Sequence, residues 1–193
     1  MELTQAILSR RSVRQYQDRP VPREELEAVL RAACWAPSAE NAQPWYFVAL
    51  TRPEDLRLLE STLERVSVEI RPQLEEAFSQ YPQLVDMTSA FLRRLGGAPV
   101  CVLVFLQREY TGHSRDSMLE SAAAAIQNLL LAAWERDIGS CWVNAVTETG
   151  YGPAIRQLFA PDKGELVSLV TLGYPLRKAS SKPIRMKDRW VIR

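Results

Sequence analysis

Apolar positions along the chain fall into two periodicities. Leu26, Val29, Leu30, Ala33 and Cys34 recur every three or four residues, the spacing of one helix face. Pro22 opens this segment, Glu24, Glu25 and Glu27 sit where a helix dipole favours acids, and Pro37 bounds it. Leu56, Leu59 and Leu63 repeat the pattern over 53–65, and Leu3, Ile7 and Leu8 predict a short helix over 3–9. Ser117 and Glu120 have capping-box spacing and predict a long helix to about residue 136. Its centre is apolar nearly all round, as in a helix buried on every side. A further helix is predicted over 151–159.

Runs of the other kind predict strands over 46–51, 100–106, 140–143 and 166–174. VCVLVFL, residues 100–106, is apolar at every position and so predicts burial on both faces. Trp190-Val191-Ile192 predicts a short edge strand, within this chain or against another subunit. Over 66–97 the pattern is broken by Pro72, Pro82 and Gly96-Gly97, and it predicts helical pieces without fixed ends. Helices and strands alternate without βαβ spacing, which predicts a central sheet of four or five strands wrapped by helices.

Composition narrows the class. The 193 residues are 47% hydrophobic and 24% charged, which excludes a disordered tail, a collagen-like fibre and a coiled coil. One domain over 1–193 is expected, with a core that needs no staples. The formal net charge of +1 gives no global field for nucleic acid or an anionic membrane. The longest apolar stretch, 122–134, is interrupted by Gln127 and Asn128 and is too short to span a bilayer. The first residues lack a signal-peptide apolar region, and three unpaired Cys suit a reducing, cytoplasmic compartment. With one His and no CxxC, no metal site is expected. Neither a GxGxxG after a strand nor a P-loop is present.

Charge is nevertheless uneven. From Arg177 to Arg193 seven basic residues face one acid, Asp188, and 20 of the 24 cationic residues are Arg. Arg suits bidentate recognition of phosphate or carboxylate. Such a tail is either solvated charge or one of two basic ends that converge on an anion.

Four clusters could carry chemistry. In Arg10-Arg11-Ser12-Val13-Arg14, an extended backbone puts Arg10, Ser12 and Arg14 on one side, a match for a phosphate or else a solvated basic turn. Residues 36–45 (APSAENAQPW) admit a flat ligand close to the backbone. There Ser38, Asn41 and Gln43 could bond a heteroaromatic edge; the alternative is an ordinary helix-to-strand loop. Gly139 to Asn144 follow the buried helix, with Gly139 read as the residue that ends it. In the tail, Lys182 and Arg185 are candidate anion ligands. No Ser/His/Asp or Cys/His set stands out, so no catalytic side chain is assigned, His113 included.

RRSVRQY, APSAENAQPWYFV, IGSCWV, LVTLGYP and a basic C-terminal segment, in this order, resemble the FMN-dependent nitroreductase family. The resemblance spans nearly the whole chain except 66–97. It implies an α+β sandwich, a mostly antiparallel sheet wrapped by helices, and an intertwined homodimer with FMN at the subunit interface. Arg10 and Ser12 would hold the FMN phosphate, joined by Arg185, and Arg11 would also belong to the cofactor-binding set. Lys182 would stand in for a basic residue that the family often carries where this chain has Pro183. Arg14 would face the pyrimidine side of the ring. Pro37, Ser38, Ala39, Asn41 and Gln43 would touch the same flavin from the other subunit, and Trp142, Val143 and Asn144 would lie beside the ring. Residues 66–97 would cap the site, where Phe78, Tyr81, Met87 and Phe91 either stack on an acceptor or, the favoured reading, bury their own helices. The tail, 177–193, would contribute to flavin site and dimer.

The implied activity is hydride transfer from NAD(P)H through flavin N5 to a nitroaromatic, quinone or related small-molecule acceptor, in ping-pong order. A flavin-storage protein with little NAD(P)H turnover is the alternative. Two departures bear on it. Asp137 and Asn144 stand where the family often has Gly, and Asp137 must then take a left-handed helix-ending conformation.

Overall fold

The computed structural model of the chain describes residues 1–107, 112, 114–177 and 185–193. In chain order these form α1 (Leu3–Ser9), α2 (Arg23–Ala33), β1 (Trp45–Leu50), α3 (Pro53–Glu69), α4 (Arg71–Ala77) and α5 (Pro82–Arg94). There follow β2 (Val100–Leu106), α6 (Arg115–Glu135), β3 (Gly139–Val143), α7 (Ala145–Glu148), α8 (Gly152–Phe159) and β4 (Leu166–Gly173). The strands make one sheet in the order β1-β2-β4-β3, each neighbouring pair antiparallel. This is the α+β sandwich anticipated from the sequence, in its four-strand form.

β2 sets the layers. Cys101, Leu103 and Phe105 point into a core with Leu59 and Leu63 of α3 and Phe91 of α5. Val100, Val102 and Val104 point the other way, against Leu26 and Val29 of α2 and Ile126 and Leu129 of α6. A strand walled on both faces has no solvated position, which is why all seven residues are apolar.

Several expectations change in detail. α6 starts at Arg115, not at Ser117. Ser114 is its N-cap, and the Ser117 N–H donates to the Ser114 hydroxyl at 3.1 Å. The capping-box pair Ser117/Glu120 therefore lies inside the first turns, because Ser114 supplies the acceptor one turn earlier. α3 runs on to Glu69 because Val66 continues the buried stripe of Leu59 and Leu63. Residues 66–97 resolve into the end of α3, α4, α5 and a tight turn over Leu95–Gly97. Trp190, Val191 and Ile192 are exposed and form no strand within the chain, so the edge strand is not found there. Among the described residues no helix is long and apolar enough to cross a membrane.

Candidate cofactor-binding site

The first cluster is built by docking an extended segment onto the sheet. The Trp134 indole N–H donates to Ser9 Oγ at 2.8 Å, fixing the end of α1 on α6. Beyond it, the Val13 N–H donates to the Ser140 carbonyl at 2.8 Å, and Ser12 pairs with Ser140 of β3. Val13 and Tyr16 face inward, while Ser12 and Arg14 are exposed and Arg10 is half-buried. The extended alternation expected from the sequence is what the backbone adopts. Arg11 instead turns its guanidinium to the Leu8 and Arg10 carbonyls, at 2.9 and 2.8 Å.

Gly139 makes this docking feasible. A Cβ there would meet Val13 Cγ2 at 2.7 Å and Pro175 Cγ at 3.0 Å. It is not the residue that ends α6, as the sequence suggested. Asp137 takes that place at φ 58°, with Ile138 N–H bonded to the Ala133 carbonyl and Asp137 N–H to the Trp134 carbonyl. Asn144 has φ −105°, so it needs no glycine freedom either, and its Oδ1 accepts from the Ser168 hydroxyl at 3.0 Å.

Three guanidinium groups crowd together here. Burial lowers the Arg10 pKa, and the charges of Arg11 and Arg185 push it the same way. Arg185 belongs to the basic tail, and its charge is felt at Arg10. Burial raises the pKa of the Cys141 thiol on β3, opposed by the charges of Arg14 and Arg10 and by hydrogen bonds from Ser12 and Arg14.

Next to this cluster lies a cavity of about 330 Å³. Arg14 and the β3 end, Cys141 to Asn144, form one wall. α4 and α5 form the other, with Gln73, Leu74, Thr88 and Phe91, and Glu148 of α7 adds a carboxylate. Phe91 is buried in this wall, but Tyr81 and Met87 are exposed, so those two neither bury their helix nor line the cavity. Gln73, Thr88 and Glu148 were not singled out from the sequence. No motif marks them, and they lie on helices whose ends the pattern did not fix or that it did not predict.

Pro37 to Gln43 lie elsewhere. Ala39 N–H donates to Ser121 Oγ of α6 at 3.2 Å, and Ala39 and Ala42 pack near Leu106 and Met118. The turn is held from within: Gln43 N–H donates to Ser38 Oγ at 3.0 Å, and the Gln43 amide donates to Asn41 Oδ1 at 3.1 Å. Glu40, Asn41 and Gln43 all have positive φ, of 49°, 58° and 46°. Left-handed non-glycine residues each cost about 1–3 kcal/mol and collect at functional turns. This turn precedes β1, and β1 and β3 are the opposite edges of the sheet, about 14 Å apart. The first cluster is thus formed at β3, on the α3/α5 face, and the second is not joined to it within one chain. Lys182 and His113 lie outside the described residues.

Comparison with known proteins gives the family. A profile of the Nitroreductase family matches residues 7–174, and the chain belongs to that family. A protein of Archaeoglobus fulgidus with the provisional name NADH dehydrogenase/NAD(P)H nitroreductase is 31% identical over 175 residues, 90% of this chain and 86% of its own. Iodotyrosine deiodinase 1 of Rattus norvegicus is 27% identical over 191 residues, 96% of this chain and 66% of its own. Among solved structures, a nitroreductase with bound FMN from Bacteroides fragilis superposes with a TM-score of 0.71 at 26% identity, covering 100% of this chain and 98% of its own.

Proposed function

We propose that the protein is an FMN-dependent NAD(P)H oxidoreductase that reduces a nitroaromatic, a quinone or a related small acceptor. The observation that carries this reading is the cavity lined by Arg14 and the β3 end, beside the docked segment that also bears the half-buried Arg10 and the exposed Ser12. Guanidinium groups beside a cavity favour an anion there. Arg10, Ser12 and Arg185 fit a phosphate, and the adjoining 330 Å³ falls in the range of ligand pockets.

When bound, FMN would supply two-electron redox chemistry between NAD(P)H and the acceptor, in the proposed ping-pong order. The chain's own residues orient and polarise. Arg14 places a positive charge in the cavity, where it favours a ring that has gained negative charge. Asn144, held by Ser168, fixes the backbone at the β3 end. α4 and α5 narrow access and cap the site. Pro37, Ser38, Ala39, Asn41 and Gln43, formed at the far edge, serve the flavin of a second copy. That makes the working unit a homodimer, with the exposed Trp190 and Ile192 available to it.

The test is an anaerobic visible spectrum of the FMN-loaded protein before and after NADH, then NADPH. Bleaching of the oxidised band, restored by a nitroaromatic or a quinone, is the expected result. A bound flavin that neither donor bleaches would favour storage, and a protein that takes up no FMN would overturn the reading.

A further inference from the structure

A second cavity, also of about 330 Å³, lies on the other side of α7: Glu148 lines the cofactor cavity, whereas Thr147 lines this one. Its walls come from the start of α6, the turn between α7 and α8, the first turn of α8 and the start of β4.

The charges in it are unequal. Arg115 donates to both Glu165 oxygens, at 2.7 and 2.9 Å, so those two charges offset each other. Arg156 adds a second guanidinium. Its Nε is buried and, among the described residues, has no hydrogen-bond acceptor. The half-buried guanidinium makes no ion pair among the described residues, and a ligand oxygen on its terminal N–H groups would supply one. Leu119 and Leu166 supply apolar wall. The floor at Gly150 is open, since a Cβ there would meet nothing within 4 Å.

We infer that this cavity binds a small monocarboxylate with an apolar body, anchored through its carboxylate on Arg156. A carboxylate matches the guanidinium fork. Among the described residues one surplus positive charge is left, which suits a monoanion. A phosphate dianion would bring a second negative charge toward Glu165 with nothing among the described residues to offset it. The site stands apart from the cofactor cavity and does not depend on the redox reading.

The experiment titrates the protein with cyclohexanecarboxylate, saturated so that it does not stack on a flavin, with and without FMN. Binding is read from the backbone amide signals of Gly150 and Gly152. The expected result is saturable shifts at both amides, unaffected by FMN and weakened at least tenfold in Arg156→Gln. Leu119→Trp, which fills the cavity and removes no charge, should also abolish them, and it serves if Arg156→Gln does not fold. Inorganic phosphate is the second probe. Tighter binding of phosphate than of carboxylate would overturn the ligand class. No saturation, equal affinity in the folded variants, or loss of binding on adding FMN would overturn the site.

Discussion

Tyr16 and Thr171 are joined hydroxyl to hydroxyl at 2.7 Å beneath the segment that carries Arg10, Ser12 and Arg14. The Tyr16 hydroxyl donates to the Val13 carbonyl at 2.6 Å, so Thr171 is the donor to Tyr16. One buried phenol thereby ties the arginine-bearing segment to β4. Tyr16→Phe removes both bonds without emptying the site. It should destabilise the protein by about 1–3 kcal/mol in urea unfolding and loosen FMN binding as well. Unchanged FMN affinity alongside lost stability would separate the tie from the site.

Arg185→Ala tests the anion reading directly. A charge-assisted contact to phosphate is worth about 1.5–3 kcal/mol, so FMN affinity should drop about tenfold or more by fluorescence titration. Riboflavin, which lacks the phosphate, should bind wild type and variant alike. Equal FMN affinity would remove Arg185 from the site.

At Gly139 the added methyl of Gly139→Ala meets Val13 and Pro175. Overpacking of this kind costs about 1–3 kcal/mol. The segment must lift from β3, so thermal stability and FMN affinity should fall together.

Subunit sharing can be tested by complementation. Arg10→Ala damages one half-site and Asn41→Ala the other. Mixed and refolded together, half of the dimers are hybrids, each with one intact site. About a quarter of the wild-type flavin content should return if the flavin lies between subunits. No recovery would place both halves in one chain.

The base limb of the stability curve has a stated sign. Burial pushes the Cys101 and Cys141 thiols above their usual range, and Tyr16 likewise. The folded state therefore keeps protons that the unfolded state loses above about pH 9. Stability should decline there by about 1.4 kcal/mol per pH unit for each such group, and Cys101→Ala should flatten the slope.

How much of this was legible beforehand depends on where the information sits. β2 was readable because burial on both faces leaves no polar position. The common side of Ser12 and Arg14 was readable because extended backbone alternates around the apolar Val13. Element ends at β1, β4 and α8 came within one residue. Gly139 was misread because a glycine after a helix has two uses, and only the packed partner, Val13, tells them apart. Gln73, Thr88 and Glu148 gave no signal, since a side chain that lines a cavity is defined by the element facing it. The left-handed turn at Glu40, Asn41 and Gln43 was hidden as well, because two of the three are residues that seldom adopt it.

The turn after α5 links the cap to the arginine segment. Gly96, at φ 64°, packs its backbone on the Arg14 carbonyl so tightly that any Cβ would overlap it, and its own carbonyl accepts the Tyr16 N–H at 3.2 Å. This confines where the cap can diverge. On the proposed function, insertions and deletions between α4 and α5, near residues 78–81, would alter the acceptor side while leaving Arg14 in place. A length change at 94–97 would reach Arg14 itself. On the proposed function, descendants of this chain are therefore free to acquire new acceptors through the far end of α4 and α5, with the near end held constant.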